Sequence, residues 1–199
     1  MPRDASATKA RLLRAAERRF ARDGVGGTRM VDLVRDAGQA NESAVSYHFG
    51  SRKGLLSAIA EKHLAVMDLR RNGDLADADI RTVIDAIVVP TASLLRTDDG
   101  RDFLRITEQL AGFSGVRQNV LATPIRGSVL AGQLSRLDEL LRTTLDATYT
   151  RERTGALVTF LTASLAERAR SIERGDRQAL SHVRYVDNLV DMLTAAIQA

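Results

Sequence analysis

The chain has 199 residues, 44% hydrophobic and 27% charged, the balance of an ordinary soluble globular protein with room for a small domain joined to a larger one. It contains no cysteine, which excludes disulfides, zinc–thiolate sites and thiol nucleophiles, and no uncharged run approaches the roughly 18 residues of a membrane span. The net charge of +4 is unevenly placed: residues 1–54 hold eleven Lys and Arg against six Asp and Glu, whereas residues 55–199 hold eighteen against nineteen.

Taken in chain order, the apolar spacing is helical almost throughout. Residues 1–6 carry no apolar pattern and are expected to be disordered. The first helix is expected over residues 8–22, with Leu12, Leu13, Ala16 and Phe20 on one face, arginines opposite, Thr8 as its cap and Asp23-Gly24 as its end. Those arginines leave no place for an export signal, so a cytoplasmic protein is expected. Thr28 is expected to cap a short second helix that buries Met30, Leu33, Val34 and Ala37 and stops at Gly38. A third runs from about Glu42 to Phe49, and Ser51 caps a fourth that carries Leu55, Leu56, Ile59, His63, Leu64 and Met67 to a break at Asn72-Gly73-Asp74. A stripe from Ile80 to Leu95 contains Pro90, expected to kink its helix. Asp98-Asp99-Gly100 reads as a loop, followed by helices over about 101–111, 124–146, 150–174 and 177–197. The expected fold is all-α with about nine helices, divided into residues 6–54 and 55–199.

Three short helices, the last two joined by a tight turn and carrying the charge excess, form a DNA-reading arrangement in which the last helix enters the major groove. Val45 and Phe49, four apart, should anchor that helix to Leu33 and Phe20. Ser43, Ala44, Ser46, Tyr47 and His48 then face outward, small enough to approach base edges or able to donate to phosphates. A basic quarter suits a polyanion because its cations displace condensed counterions, although a solvated basic face would have the same composition. An enzyme is not expected: His48, His63 and His182 lie in different helices, and there is no metal-ligand spacing, phosphate loop or nucleophile elbow, so neither metal nor cofactor is expected. A non-specific architectural DNA binder would share the charge and the motif. The 145 residues beyond residue 54 exceed what joining two reading heads requires.

These residues resemble the tetracycline-repressor (TetR-like) family of bacterial regulators. Lys9-Ala10-Arg11-Leu12-Leu13-Arg14-Ala15-Ala16, then Phe20 and Asp23-Gly24, are similar to its first helix, and Thr28 to Gly38 to its second. Ser46-Tyr47-His48-Phe49-Gly50-Ser51-Arg52-Lys53-Gly54-Leu55-Leu56 resembles its strongest signature. The resemblance spans about residues 8–68. It implies phosphate or base contacts by Tyr47 and His48, base-facing positions at Ala44 and Ser46, and backbone contacts at the helix starts marked by Thr28 and Arg52. Arg29, Asn41, Ser43 and Lys53 complete the candidate DNA-binding set. The turn Gly38-Gln39-Ala40-Asn41 is one residue longer than the commoner family pattern, which affects the register of Gln39, Asn41 and Glu42. The resemblance also implies a double-stranded DNA operator, repression, a homodimer and a small-molecule effector. Candidate effector contacts are His63, Arg105, Glu108 and Gln109. For the dimer seam, Val183, Val186, Val190, Leu193 and Ile197 are spaced three, four, three and four apart, and Leu157 and Leu161 make a comparable face on the preceding helix. Two such helices from each subunit would form a four-helix bundle; the same stripes could instead pack within one chain.

Overall fold

The regular structure of the described residues consists of nine α-helices and one 3-10 turn, with no strand among them. The computed structural model describes residues 2–41, 43–71, 74–111 and 121–199, so the expectations placed on Glu42 and on Asn72-Gly73 lie outside the described residues. In order the elements are α1 (Pro2–Asp23), α2 (Met30–Asp36), α3 (Ser43–Phe49), α4 (Arg52–Asp68) and α5 (Ile80–Ala92). After the 3-10 turn Ser93–Arg96 come α6 (Asp98–Leu110), α7 (Val129–Leu141), α8 (Ala147–Glu173) and α9 (His182–Gln198).

Where boundaries depart from the expectation, capping chemistry explains most of the shift. The first helix begins at Pro2, because proline is tolerated in a first turn and Ala5, Ala7 and Ala10 are strong helix formers. The Thr8 hydroxyl accepts instead from Arg11. Asp98-Asp99-Gly100 is the first turn of α6: Thr97 accepts the Gly100 N–H at 3.1 Å, and two carboxylates suit the positive end of the helix dipole. Ser128 and Ser181 cap α7 and α9 and start them later than predicted, whereas Asp146 caps α8 and starts it earlier. Pro90 lies inside α5, which runs two residues past it before tightening into the 3-10 turn. The missing proline N–H leaves the Ala86 carbonyl without its helical donor. Buried Arg71 supplies one, its Nη1 donating to Ala86 O at 3.2 Å and to Gln133 Oε1 at 2.7 Å.

Leu12, Ala16, Phe20, Leu33, Val45, Leu55 and Ile59 bury against one another across α1 to α4. In the body α5 packs on α7 and α9, while α6 lies against α1 on one side and α8 on the other. The stripe predicted as the dimer seam packs within the single chain, and its Leu157, Leu193 and Ile197 also line a groove between α8 and α9. Val186, Val190, Leu193 and Ile197, with Leu157 and Leu161 on α8, are all under 7% exposed without any second chain present. Side chains already removed from water have little more to gain from a partner, so this stripe is the chain's own core. Val183 alone of the set is open to solvent, at 63%.

Candidate nucleic-acid interface

The turn between α1 and α2 is held by three devices, two local and one from the start of α4. Gly24 has φ +84°, a left-handed conformation costly for any residue with a Cβ. Its carbonyl accepts both the Thr28 N–H at 3.1 Å and the Thr28 hydroxyl at 2.8 Å. Arg52, at the start of α4, donates through Nη1 to Val25 O and through Nη2 to Thr28 O at 2.6 Å. Across the domain, Arg19 on α1 grips Asp36 of α2 with bonds of 2.5 and 2.9 Å. Two predicted roles change accordingly. Thr28 is 2% exposed and bonded to Gly24, so its side chain is a turn staple rather than a helix cap or a DNA contact. Arg52 is half-buried with both terminal nitrogens donating to carbonyls, and it positions the turn rather than meeting phosphate.

Helix α3 sorts its side chains into three stripes. Val45 is buried, with Phe49 half-buried one turn on. Ala44 and His48 flank them half-buried, a correction to the expectation that both face fully outward. Ser43, Ser46 and Tyr47 are exposed, Tyr47 at 83%. Its ring meets the His48 imidazole edge-on at 4.9 Å. The Asn41 side-chain oxygen accepts the Ser43 N–H at 2.9 Å, which occupies that oxygen in starting the helix. The far end is closed by Gly54, where a Cβ would stand 1.9 Å from the Phe49 carbonyl, so any larger residue would push α4 off the end of α3.

Exposed cations surround this surface. Lys53 is exposed and has no ion pair among the described residues. Lys9, absent from the predicted set, lies 5.7 Å from the Phe49 ring centroid and brings a further charge to the rim of α3. Arg29 is exposed but paired with Asp32 at 2.7 Å, which holds that carboxyl below its ordinary value. The Asp23 carboxyl is held down to about 2 by hydrogen bonds from Arg22 and Arg19.

Of the four candidate effector contacts, Gln109, Arg105 and His63 tie this domain to the body, and Glu108 ties α6 to α8 within the body. Gln109 accepts the Val25 N–H at 2.8 Å and donates to Phe20 O at 3.1 Å. Arg105 donates to Ala21 O at 3.0 Å and pairs with Glu173 of α8. Glu108 takes two bonds from Arg170 of α8, at 2.6 and 3.1 Å. His63 is buried, its Nε2 donating to Glu17 at 2.9 Å and its ring stacked on Phe103 at 4.3 Å. With their polar atoms engaged in this way, they are not the open contacts that a pocket would need.

Sequence reading missed the network around His63. Glu17 of α1 is 0% exposed and accepts Lys62 Nζ at 2.9 and 3.1 Å, while Lys62 also meets Asp99 at 2.9 Å. Burial pushes the Glu17 carboxyl up, but the bonds and charges of His63 and Lys62 outweigh it and hold it below its usual range. Ligand atoms of Glu17, His63 and Asp99 lie within 4.8 Å of one another, but the Lys62 ammonium already bonds to both carboxylates. The signal was present: Glu17 falls four residues after Leu13 and three before Phe20, on the apolar face of α1.

Comparison with known proteins agrees with the local geometry. Residues 12–59 match the bacterial regulatory proteins of the tetR family. The chain is 33% identical over 86 residues to the HTH-type transcriptional repressor SCO4008 of Streptomyces coelicolor, a match covering 43% of each protein. The matched stretch is thus less than half of that relative's own length. Two crystal structures share the fold over nearly the whole chain. One, from Shewanella sp. PV-4 and ascribed to the tetR family, is 15% identical with a TM-score of 0.57 and covers 95% of this chain and 97% of its own. The other, NalD, the secondary repressor of the MexAB-OprM multidrug efflux pump of Pseudomonas aeruginosa, is 18% identical with a TM-score of 0.55 and covers 98% and 97%.

Proposed function

We propose, on the premise that the N-terminal domain of this chain belongs to the tetR family of bacterial regulatory proteins, that the whole protein is a sequence-specific DNA-binding transcriptional regulator. It acts as a repressor on a palindromic operator, as a homodimer, and is released by a small-molecule effector. The observation that carries this reading is the outward stripe of α3: Ser43, Ser46 and Tyr47 stand free on a helix anchored from behind by Val45, between the cations Lys9 and Lys53. Small hydroxyls can approach base edges, and a tyrosine at the rim can donate to phosphate. Repression is supported by the 33% identical relative, itself a repressor. The reading divides the chain into a DNA-reading unit at 6–54 and a body at 55–199, places it in the compartment that holds the DNA, and assigns it no catalytic step. No helix among the described residues is long and apolar enough to cross a membrane.

The dimer contact in this reading moves to the outer faces of α8 and α9. Ala156 and Phe160 on α8 and Ala196 on α9 line a groove of about 160 Å³ between the two helices, and the exposed Met192 and Ala195 extend it along α9. Small residues on paired helices let a second pair approach closely.

The test separates base reading from backbone contact. Tyr47→Ala should lower affinity for all DNA with little change in the ratio of specific to non-specific binding. Ala44→Leu, half-buried beside the reading stripe, should change the preferred sequence, at about 1–3 kcal/mol per disrupted base pair. Band shifts on operator and scrambled duplexes measure both. An Ala44→Leu protein with an unaltered preferred site would show that α3 does not read the bases.

A further inference from the structure

A cavity of about 390 Å³ opens between the 3-10 turn, the second half of α8 and the start of α9. Arg96, Arg168, Ser181 and His182 line it together with apolar Leu95 and Leu180, and no lining residue is acidic. Several other arginines of the body stand opposite carboxylates, Arg105 with Glu173, Arg170 with Glu108 and Arg174 with Asp176. The two in this cavity do not. Arg168 donates to Leu180 O at 2.6 Å and lies 4.5 Å from the Tyr185 ring centroid, with no carboxylate partner among the described residues. Arg96 is exposed and has neither ion pair nor hydrogen bond among the described residues.

The backbone adds donors of its own. Ser181 caps α9, its side chain accepting the Arg184 N–H and its carbonyl the Tyr185 N–H. The N–H groups of His182 and Val183 are left without an acceptor among the described residues, at the positive end of a 17-residue helix. Burial and the facing charges of Arg96 and Arg168 hold the His182 imidazole below its usual value, so two guanidinium groups act on one ring with no acid between them.

We propose that this cavity binds a small phosphate-bearing anion, a phosphate monoester or inorganic phosphate, through the guanidinium groups of Arg96 and Arg168, the His182 ring and the first-turn N–H groups of α9. Forked guanidinium donors and a helix N-terminus match the tetrahedral oxygens of phosphate. The cavity exceeds a bare phosphate in volume, and the organic part of an ester would lie on Leu95 and Leu180. Ile172, also in the lining, precedes Glu173, the partner of Arg105, so an occupant sits one residue from a tie to α1. An effect of the occupant on DNA binding through that tie rests on the DNA-binding reading; the binding itself does not.

The chain has three histidines, His48, His63 and His182, so imidazole NMR signals of the full-length protein can locate the site. Titration with glycerol phosphate, and separately with inorganic phosphate, at ionic strength balanced with chloride should shift the His182 signals saturably and raise the His182 pKa. His48 and His63 should stay still. Tighter binding of glycerol phosphate identifies an ester site, and tighter binding of inorganic phosphate a site for the free ion. Arg96→Gln, at an exposed side chain without a partner, keeps the fold and should weaken binding about tenfold, the loss expected for one charged hydrogen bond. Three results would each overturn the proposal: unmoved His182 signals, the same shifts with succinate or chloride alone, or undiminished affinity in Arg96→Gln. No DNA enters the titration, so a protein that binds phosphate here and reads no operator would sink the DNA-binding reading and leave this one standing.

Discussion

Arg52 stands one residue from the exposed Lys53, yet the two arrive at different uses. Sequence reading places both at the DNA, because charge and position are all that a sequence displays. The fold turns Arg52 back onto Val25 O and Thr28 O, where it fixes the turn ahead of α2, and leaves Lys53 in solvent. Removing two charge-assisted bonds at a half-buried site should make Arg52→Ala less stable by about 1.5–3 kcal/mol, with DNA affinity falling in step. Chemical denaturation beside a band shift measures both; a fully stable variant with weakened binding would return Arg52 to the phosphates. Glu17 is the second residue whose role is positional. Its carboxyl is buried between Lys62 and His63, so Glu17→Ala should cost about 1–3 kcal/mol by leaving the buried His63 ring N–H without an acceptor, while Lys62 keeps Asp99. The folded carboxyl titrates below its ordinary 4.5, so its contribution is complete above about pH 4.5 and is lost as pH falls through the folded value. Lys62 is held above its ordinary 10.5, so its contribution is complete below that pH and is lost only in stronger alkali. Denaturation midpoints should therefore hold level through neutrality and drop below pH 4.5, with a shallower drop in Glu17→Gln. Parallel acid limbs in the two proteins would contradict the assignment.

At the scale of elements, apolar periodicity and capping residues made most of the helices legible. Helices α2 and α3 fall within two residues of their predicted spans, and α4 starts where predicted, because Gly38, Gly50 and Ser51 punctuate them. Periodicity alone cannot say what a stripe packs against, and α9 shows this. Its spacing of three and four residues fits a dimer seam and fits equally a face laid on α5 and α8, the helices it packs on, with Val186, Val190 and Leu193 buried in the single chain. Arg105, Glu108 and Gln109 were legible as polar groups on a mostly apolar helix, but their partners on α1, α8 and the turn after α1 lie 62 to 89 residues away in the chain. The two faces of α9 should separate in experiment. Val190→Asp places an unpaired carboxylate in the core and should unfold the body. Met192→Asp, on the exposed face, should leave a folded chain that sediments as a monomer. Sedimentation with circular dichroism distinguishes these outcomes, and a folded Met192→Asp dimer would place the seam off this face.

Across the whole molecule, α6 reaches α1 through Gln109 and Arg105 and reaches α8 through Glu108 and Arg105, which would fasten the proposed reading unit to the helical body. One head in one groove reads too few base pairs to mark a unique site, so two heads on a two-fold axis, with half-sites about one helical turn apart, are what the proposed regulator requires. The central claim is that α3 of this chain reads DNA sequence, and selection of bound duplexes from a random pool by the purified full-length protein tests it most directly. The account predicts enrichment of a palindrome with half-site centres about 10 base pairs, or a multiple of that, apart, its half-site sequence altered by Ala44→Leu and its recovery weakened by Tyr47→Ala. A pool that stays random while the protein still retains DNA would contradict it, leaving a basic surface that binds phosphate without reading bases.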